Sequence, residues 1–405
     1  MVNVGVIAEF NPFHNGHKYI LDKAREVTHA DNVVVVMSGN YVQRGIPAIF
    51  DKSYRAGAAL LNGADAVFEL PSYFSLTSAE TYARANIKYL DSFGCIDYVC
   101  FGCETDNIKI LPMLANILYD EPTEYKCNLK KKLHDGLSFP KARSLALQEY
   151  CEDNNLLSKY EVKVTLASPN NILAIEYLKA IKYFNSSMKP LAIKRVDSNH
   201  SQEIHINIAS ASSLRKEILN NYSIDKYIPY NVSHTYRTAK PITINDYELL
   251  IGSALTNKSK FSDIYGINKD MSNRIYKLKH DYNDQKDFYE KMQSKNYTYA
   301  TISRNILNIL LDYKKEDVKS IINDGYIKYA RLLGVKPASS ILTEISNNSS
   351  IPIVDKLSKY YVNCPADQKK MLAKTIKADH LYRLVYMTKY KEFRLNEFER
   401  QIIKV

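Results

Sequence analysis

The sequence has few features of an exported or membrane protein. None of its apolar runs reaches the ~18 residues that a membrane-spanning helix needs. Its first residues, MVNVGVIAEF, contain no basic segment and no cleavage site, and they have the pattern of a core strand. Only six cysteines occur among 405 residues, at irregular spacings that do not form a disulfide framework. We therefore expect a cytoplasmic protein that does not associate with membranes.

The sequence also lacks a recognisable metal site. Cys100 and Cys103 form a CxxC pair, but no second cysteine pair or histidine pair completes a zinc set. No cluster of Asp and Glu identifies ligands for magnesium. We predict that the cysteines are structural and that no metal is held by side chains alone.

Tryptophan is absent, whereas the net charge is +11 and unevenly distributed. Residues 1–234 hold 25 Lys/Arg and 25 Asp/Glu, whereas residues 235–405 hold 30 and 19. This asymmetry favours a polyanionic partner for the C-terminal part. The many tyrosines, asparagines and lysines also fit a lysine-rich surface in a protein from an AT-rich genome, so charge alone leaves both interpretations open.

Apolar runs typical of strands alternate with helical patterns in the first half of the chain. The runs are VNVGVIA (2–8), NVVVVMS (32–38), ADAVFEL (64–70), IDYVCFG (96–102) and PLAIKRV (190–196), and the helical patterns cover 16–27, 52–62 and 78–93. The alternation predicts an α/β fold whose Rossmann-like parallel sheet is covered by helices on both faces. Ligands of such sheets bind at the carboxyl ends of the strands, near the point where the strand order reverses.

The remaining sequence is mostly helical in pattern. Residues 107–165 predict a helical insertion in the sheet domain, and residues after about 230 predict helices such as 304–318 and 365–386. The segment IPYNVSHTYRTAKP (228–241), which has two prolines, is the predicted linker. We predict two domains: a sheet domain over residues 1–234 and a basic, mainly α-helical domain over residues 235–405.

The segment EFNPFHNGH (9–17) follows the first predicted strand and opens a helix. Gly16 lets a ligand approach the backbone, and the free N–H groups of the helix N-terminus favour an anion. The imidazoles of His14 and His17 can donate hydrogen bonds to phosphate oxygens and to charge that develops at a reacting phosphorus. A histidine pair at a helix start can also be a simple cap. The strand before it and the turn at Asn11-Pro12 favour phosphate chemistry over that interpretation.

A second segment, ASASSLRKEIL (209–219), can anchor the outer phosphates of a nucleotide. Ser210, Ser212 and Ser213 offer hydroxyl groups at a helix start, and Arg215 and Lys216 offer positive charge. The pattern also describes an ordinary capped helix. When it occurs in the same chain as HNGH, the pattern specifically indicates a site for the phosphates of a nucleotide.

The two segments resemble the HxGH and ISSTxxR motifs of the nucleotidylyltransferase superfamily. The blocks GVIAEFNPFHNGH, SGNYVQRGIPAIFDKSYRA, GADAVFELP, FGCETD and SPNNILAIEYLKA resemble, more closely, the tRNA(Met) cytidine acetate ligase family. The resemblance implies a nucleotidyltransferase-like, ATP-binding catalytic domain over residues 1–234 and a tRNA-binding domain over 235–405. It implies an ATP-dependent ligase that activates acetate as acetyl-adenylate and transfers the acetyl group to N4 of the wobble cytidine of elongator tRNA(Met). The expected cofactor is ATP with Mg²⁺, and no protein partner is inferred.

The resemblance also implies the site residues. The expected catalytic residues are His14, His17 and Arg215. The expected ATP-binding residues are Ile7, Ala8, Glu9, Phe10, Asn11, Pro12, Phe13, His14, Asn15, Gly16, His17, Lys18, Tyr19, Ile20, Gly102, Asn170, Arg195, Ser212 and Ser213. The family motif has threonine where this chain has Ser213, and the hydroxyl is kept. Sequence does not decide whether Asn170 or Asn171 faces the ligand.

The segment SGNYVQRGIPAIFDKSYRA (38–56) is a long loop between a strand and a helix. It carries Gln43, Arg44, Asp51, Lys52 and Arg55. We interpret it as a lid or an acceptor-side wall over the adenylate, with a solvated loop held by surface ion pairs as the alternative.

Two other functions compete with the ligase. One is an adenylyltransferase that acts on a small phosphorylated metabolite, although such an enzyme does not require the basic C-terminal part. The other is a non-catalytic RNA-binding protein, although the intact motif residues argue against a decayed site. From the residues alone the reasoning reaches nucleotidyl transfer by a basic two-domain protein. Acetate, cytidine and the choice of tRNA come from the resemblance.

Overall fold

A computed structural model describes residues 1–195 and 207–405. These residues form ten strands: β1 (Asn3–Ala8), β2 (Asn32–Ser38), β3 (Tyr41–Val42), β4 (Ile46–Pro47), β5 (Ala66–Leu70), β6 (Tyr98–Cys103), β7 (Lys189–Lys194), β8 (Ala330–Val335), β9 (Ile353–Val354) and β10 (Ile403–Lys404).

Helices of the N-terminal part are α1 (Asn15–Thr28), α2 (Lys52–Leu61), α3 (Ser72–Ser75), α4 (Ala79–Asp91), α5 (Ile110–Asp120), α6 (Thr123–His134), α7 (Phe139–Asp153), α8 (Lys159–Ala167), α9 (Pro169–Tyr183) and α10 (Ala211–Leu219). Those that follow are α11 (Tyr230–Thr238), α12 (Glu248–Asn257), α13 (Lys269–Leu278), α14 (Gln285–Met292), α15 (Tyr299–Leu311), α16 (Lys315–Asn323), α17 (Ile341–Asn348), α18 (Leu357–Asn363) and α19 (Ala366–Tyr390). Short 3-10 helices lie at Asp225–Tyr227, Ile244–Tyr247 and Lys279–Asp281.

The main sheet has eight strands in the order β10-β8-β5-β2-β1-β6-β7, with β9 paired to β8. All pairs in it are parallel except β5 with β8, and β3 and β4 form a separate antiparallel hairpin. The strand order reverses between β1 and β6, because the chain runs from β1 to β2 and β5 on one side and to β6 and β7 on the other. The predicted Rossmann-like α/β fold is confirmed.

Strand β2, NVVVVMS, explains how the sheet is buried on both faces. All seven of its residues are buried, and β-branched valines suit a pleated strand. Val33 and Val35 belong to the core that contains α1 and α2, whereas Val34 and Val36 belong to the core that contains α4 and α9. Helices therefore cover the two faces and leave the carboxyl ends of the strands for a site.

The sequence predicted most N-terminal elements to within two residues. The five predicted strands correspond to β1, β2, β5, β6 and β7, and the predicted helical insertion contains α5 to α8. Val196, the last residue of the fifth predicted strand, lies outside the described residues. No helix in the described ranges combines the length and apolar character needed to cross a membrane.

Two predictions for the C-terminal half are wrong. The predicted linker 228–241 contains α11, whose Val232 and Tyr236 are buried in the core of α1 and α2. The predicted helix 304–318 is two helices, which separate at Asp312 with a left-handed φ of 56°. The part predicted to be mainly α-helical is mainly helical, and it also supplies the short strands β8, β9 and β10 to the main sheet. The division of the chain into domains at residue 234 stays a prediction.

The C-terminal part is fastened to the sheet through buried charges around Lys52. The Nζ atom of Lys52 lies 2.7 Å from Glu69 Oε1, 2.6 Å from Asp379 Oδ2 and 2.9 Å from Glu397 Oε2. Arg331 pairs with Glu69 and Glu397 at 3.2 and 2.5 Å. Lys52 and its three carboxylates are all at most 2% exposed. We call these five residues the Lys52 cluster.

The substitution Lys52→Met is expected to destabilise the fold strongly. It leaves three buried carboxylates with Arg331 as the one remaining cation of the cluster, and removal of one member of a buried pair costs about 3–5 kcal/mol. Urea denaturation measures the change in free energy of unfolding. The control is Lys88→Met, which removes a partly exposed pair with Asp91 and should cost less than about 1 kcal/mol. An equal, small effect of both substitutions would contradict the structural role of the cluster.

Candidate active site

The histidine turn lies at the point where the strand order of the sheet reverses. Strand β1 ends at Ala8, and α1 begins at Asn15 with His14 as its N-cap. Strand β6, the next neighbour of β1 on the other side, ends at Cys103. A crevice between the carboxyl ends of such strands is the usual ligand site of an open α/β sheet. The predicted position of the turn is confirmed.

His14 and His17 form a capping box that fixes the free nitrogen of each ring. The backbone N–H of Gly16 donates to His14 Nδ1 at 3.1 Å, and the backbone N–H of His14 donates to His17 Nδ1 at 3.3 Å. Both Nδ1 atoms are acceptors, so the proton of each neutral ring is on Nε2. The cap interpretation and the ligand interpretation of the sequence are therefore compatible, because Nδ1 caps the helix while Nε2–H remains a donor.

Gly16 allows this arrangement. A Cβ atom at Gly16 would lie 2.9 Å from His14 Cε1 and 3.1 Å from His14 Nδ1. The imidazole therefore occupies the space that any side chain at this position would need. The ring of His17 stacks beside it, with ring centroids 3.8 Å apart.

Both imidazoles are neutral at neutral pH. Burial, with a smaller contribution from the charge of Arg195, lowers the pKa of His14 to about 3. Burial, the proximity of His14 and the charge of Arg195 lower the pKa of His17 well below its usual value. The Nε2 atom of His14 is buried and has no hydrogen-bond partner among the described residues. A buried donor without a partner is costly, and a ligand oxygen would satisfy it.

The second sequence motif reaches the histidine turn through Arg215. Its Nη1 atom donates to the carbonyl oxygen of Asn11 at 2.7 Å. Ser210 caps α10 by accepting from the N–H of Ser213 at 3.1 Å, while Ser212 and Ser213 are exposed at the start of this helix. Asn15 Nδ2 donates to the carbonyl oxygen of Asn207 at 3.0 Å. The structure thus brings the two motifs together.

The end of β6 supplies the other side of the crevice. A Cβ atom at Gly102 would lie 3.0 Å from Arg195 Cγ and 3.1 Å from Ile20 Cδ1, so the glycine makes room for the Arg195 stem. Asn170 donates to Glu104, which also accepts from Ser168. Glu104 was not among the predicted residues. Its position directly after the carboxyl end of β6 could have indicated it, because ligands of such sheets bind at these strand ends.

Asn170 and Asn171 differ in orientation. Asn171 is 2% exposed, and its Oδ1 accepts from the backbone N–H of Glu104 at 2.7 Å. Its side chain therefore holds the β6 loop. Asn170 lies on the open side next to Glu104, and it is the one of the two that can face a ligand.

The predicted ATP-binding segment divides into buried and accessible residues. Phe10, Asn11, Phe13 and Ile20 are buried, and the N–H of Phe13 donates to Tyr236 OH at 3.0 Å. Lys18 pairs with Asp22 on the outer face of α1. The members of the segment with partial exposure are Ile7, Ala8, Glu9, Asn15, Gly16, His17, Lys18 and Tyr19, and Pro12 is buried.

Arginines give the crevice an excess of positive charge. Burial and the charge of Arg44 lower the pKa of Arg215, and both effects also act on Arg195. The charge of Glu9 opposes the lowering of the pKa of Arg215, and the charge of Glu104 opposes the lowering of the pKa of Arg195. Arg44 repels both Arg195 and Arg215, and this positive charge beside neutral imidazole donors suits a polyanion.

Most residues of the segment 38–56, which we interpreted from the sequence as a lid, are buried. Asp51 accepts two hydrogen bonds from Arg400 at 2.7 Å each, and Lys52 belongs to its cluster. Arg55 is fully buried and donates to the carbonyl oxygens of Phe50, Glu9, Ser38 and Gly39. The lid interpretation is wrong for these three residues, and so is the alternative of a solvated loop. Gln43 and Arg44 remain at the crevice.

The basic surface of α19 is partly neutralised. Lys370 and Lys374 both pair with Asp317, at 2.7 and 2.6 Å. Lys377 is exposed, and so are Lys130 and Lys131 of the insertion helix α6, whereas Lys132 pairs with Glu149. Free positive charge is therefore distributed over both parts of the chain.

The chain is similar to nucleotidyl transferases over almost its whole length. The sequence profile of the family described as HIGH Nucleotidyl Transferase matches residues 1–397. The tRNA(Met) cytidine acetate ligase of Clostridium kluyveri is 36% identical over 369 residues, which are 88% of this chain and 90% of that protein. The protein of the same name from Thermoanaerobacter sp. strain X514 is 36% identical over 392 residues, or 95% of each chain.

Two solved structures have the same architecture. The crystal structure of Thermotoga maritima TmcAL bound with alpha-thio ATP superposes with a TM-score of 0.91 and 29% sequence identity, over 100% of this chain and 99% of that one. The apo form of the same protein gives the same TM-score and identity over 100% of both chains.

The lowered pKa of His14 predicts how stability depends on pH. The unfolded chain protonates this histidine below about pH 6.5, whereas the folded protein keeps it neutral down to a pKa of about 3. The free energy of unfolding should therefore fall as the pH falls from 6.5 towards 3. The variant His14→Asn keeps a capping side chain. Between pH 7 and pH 5, its free energy of unfolding should fall by about 2 kcal/mol less than that of the parent protein.

Urea denaturation at both pH values measures this difference. The control is His29→Asn, at the exposed C-terminal end of the same helix, which should lose as much stability as the parent. The same pH dependence in the parent and in His14→Asn would show that the imidazole is not held neutral.

Proposed function

The chain belongs to the HIGH nucleotidyl transferase family and within it to the tRNA(Met) cytidine acetate ligases, and we propose on this premise that it is an ATP-dependent ligase that acetylates a tRNA cytidine. In the proposed reaction, acetate and ATP form acetyl-adenylate and pyrophosphate. The acetyl group then passes to N4 of the wobble cytidine, position 34, of elongator tRNA(Met). We also propose that the protein acts in the cytoplasm.

The observation that carries the proposal is the buried Nε2–H of His14 at the carboxyl end of β1. A neutral donor that has no partner among the described residues, fixed in one tautomer and close to Arg195, is preorganised for a phosphate oxygen. Such a donor costs no reorganisation when negative charge grows at the phosphorus. The solved neighbour with alpha-thio ATP supports ATP as the nucleotide.

The other residues have complementary proposed roles. His17 donates to the α-phosphate alongside His14. Arg215 and the N-terminus of α10, with Ser212 and Ser213, bind the outer phosphates. Arg195 serves the phosphates near the histidines, and Gly102 and Asn170 lie on the side of the nucleoside. No group of three or more His, Cys, Asp or Glu that could hold a metal occurs in the described ranges, so we propose that Mg²⁺ enters with the phosphates of ATP.

Adenylation makes the acetyl group reactive. A mixed anhydride has a good leaving group, which a weak amine such as cytidine N4 can displace, with AMP released.

The basic residues outside the crevice, among them Lys130, Lys131 and Lys377, suit an RNA backbone, which binds through phosphate contacts. Relatives named as ligases match at least 88% of the chain, and this supports the ligase over a small-metabolite adenylyltransferase or a non-catalytic RNA-binding protein.

The test of the function is incubation of the protein with ATP, labelled acetate and bulk tRNA, followed by nucleoside analysis. We expect label in N4-acetylcytidine only when ATP and tRNA are both present, with AMP and pyrophosphate as the other products. Adenylylation of a phosphorylated metabolite in place of acetate would favour the competing adenylyltransferase. Loss of ATP turnover under all conditions would favour RNA binding without catalysis.

The substitution His17→Ala is expected to lower the rate of acetate-dependent pyrophosphate release by about 10²–10³-fold, because one preorganised donor to the transition state is lost. Circular dichroism checks that the variant is folded. The control is His29→Ala, which removes an exposed histidine from the same helix and should leave the rate unchanged. A folded His17→Ala protein that releases pyrophosphate at the parental rate would exclude this role.

A further inference from the structure

Arg44 is a positively charged residue at the crevice. None of the proposed catalytic or ATP-binding roles uses it. It lies between β3 and β4, in the turn of the hairpin Tyr41–Pro47. Its side chain is exposed, and it forms no hydrogen bond or ion pair with the residues that the structure describes. Most arginines near it are engaged, since Arg55 and Arg215 donate to backbone carbonyl oxygens. Arg44 is therefore available to a ligand.

The hairpin holds Arg44 next to the end of β1. The backbone N–H of Gln43 donates to Glu9 Oε1 at 2.6 Å. Glu9 directly follows β1 and precedes the histidine turn. Burial raises the pKa of Glu9, and the charge of Arg44 opposes this rise. Burial and the charge of Arg44 lower the pKa of Arg195 and of Arg215, so the guanidinium of Arg44 lies near all three residues.

Arg44 approaches the crevice from the side opposite to Gly102, which we assign to the nucleoside in the proposed function. Its hairpin follows β2, whereas Gly102 lies near the end of β6 and Arg195 follows β7, on the other side of β1. The histidine turn at the end of β1 lies between these two sides. The Arg44 side of the histidine turn is therefore separate from the side proposed for the nucleoside, and a second substrate can bind there next to the phosphates.

The C-terminal part fixes the hairpin. Ser303 Oγ donates to the carbonyl oxygen of Gly45 at 2.6 Å, and Arg304 Nη1 donates to that of Gln43 at 3.2 Å. Gly45 has φ of 78°, and a Cβ atom there would lie 2.3 Å from the backbone nitrogen of Arg304. The turn that carries Arg44 is therefore packed directly against the backbone of α15.

We propose that Arg44 is a catalytic residue that binds the carboxylate of acetate beside the α-phosphate of ATP, and this inference rests on the proposed function. A planar guanidinium matches a carboxylate with two parallel hydrogen bonds. Acetate and ATP are both anions, and a cation between them offsets their repulsion. In the adenylation step, a carboxylate oxygen of acetate forms a bond to the α-phosphorus of ATP. The bond between the α-phosphorus and the oxygen that bridges it to the β-phosphorus breaks. The electron pair leaves with pyrophosphate, and no proton is transferred.

The test uses acetate-dependent exchange of labelled pyrophosphate into ATP, without tRNA. Arg44→Ala should raise the KM for acetate by about 10–100-fold, as expected for loss of a charged hydrogen-bonding partner, and should change the KM for ATP less than about threefold. Arg44→Lys keeps the charge without the paired hydrogen bonds and should lie between the parent and Arg44→Ala. Guanidinium ion added at millimolar concentration should partly restore exchange in Arg44→Ala and not in the parent.

Lys126→Ala is the matched control, because it removes an exposed cation that pairs with Glu121 at the start of α6, and it should leave both KM values unchanged. Ser303→Ala should raise the KM for acetate in the same direction as Arg44→Ala, by a smaller factor, because it loosens the hairpin without touching the substrate. An unchanged KM for acetate in Arg44→Ala, or a larger rise in the KM for ATP, would overturn the proposal. Absence of acetate-dependent exchange in the parent protein would instead overturn the proposed function, and the inference with it.

Discussion

The Lys52 cluster is the interaction on which the rest of the structure depends. Lys52 begins α2, Glu69 lies in β5, Arg331 in β8, Asp379 in α19, and Glu397 in the C-terminal segment. Their charges are stable in a dry interior only when all of them meet, because each ion loses its hydration and needs its partners. Burial and the charge of Glu397 raise the pKa of Asp379, as expected where carboxylates outnumber nearby cations. The cluster therefore allows few alternative arrangements of the C-terminal part.

The cluster is connected to the crevice through short polar contacts. Asn40 accepts from the N–H of Lys52 at 2.8 Å and donates to Asp379 at 2.9 Å. One helical turn after Lys52, Arg55 donates to the carbonyl oxygens of Ser38 and Glu9. These bonds fix the end of β2, the start of the hairpin and the end of β1 relative to one another. The C-terminal part thus helps to build a site whose motifs all lie in the N-terminal part.

The histidine turn combines structural and chemical tasks in one pair of side chains. Each imidazole uses Nδ1 to satisfy a backbone N–H at the start of α1, and this leaves Nε2–H as a donor of fixed direction. Burial keeps the rings neutral, so they donate hydrogen bonds without adding charge to a crevice that already contains three arginines. The arginines supply attraction for a polyanion, and the imidazoles supply oriented donors.

The sequence by itself determined the Rossmann-like core of the sheet, the helices of residues 107–165 and the histidine turn, because these follow from local periodicity and from motifs of adjacent residues. It also named Arg215, from its place at the start of a helix, and Arg195, through resemblance. Only the tertiary structure decided that Asn171 packs inward while Asn170 faces outward, that Asp51, Lys52 and Arg55 are buried, and that β8 pairs with β5. Each of these depends on partners distant in the sequence, such as Arg400 for Asp51 and Asp379 for Lys52. A charged residue in a loop has the same local pattern whether it meets water or a buried counter-ion, and the fold alone brings that counter-ion near.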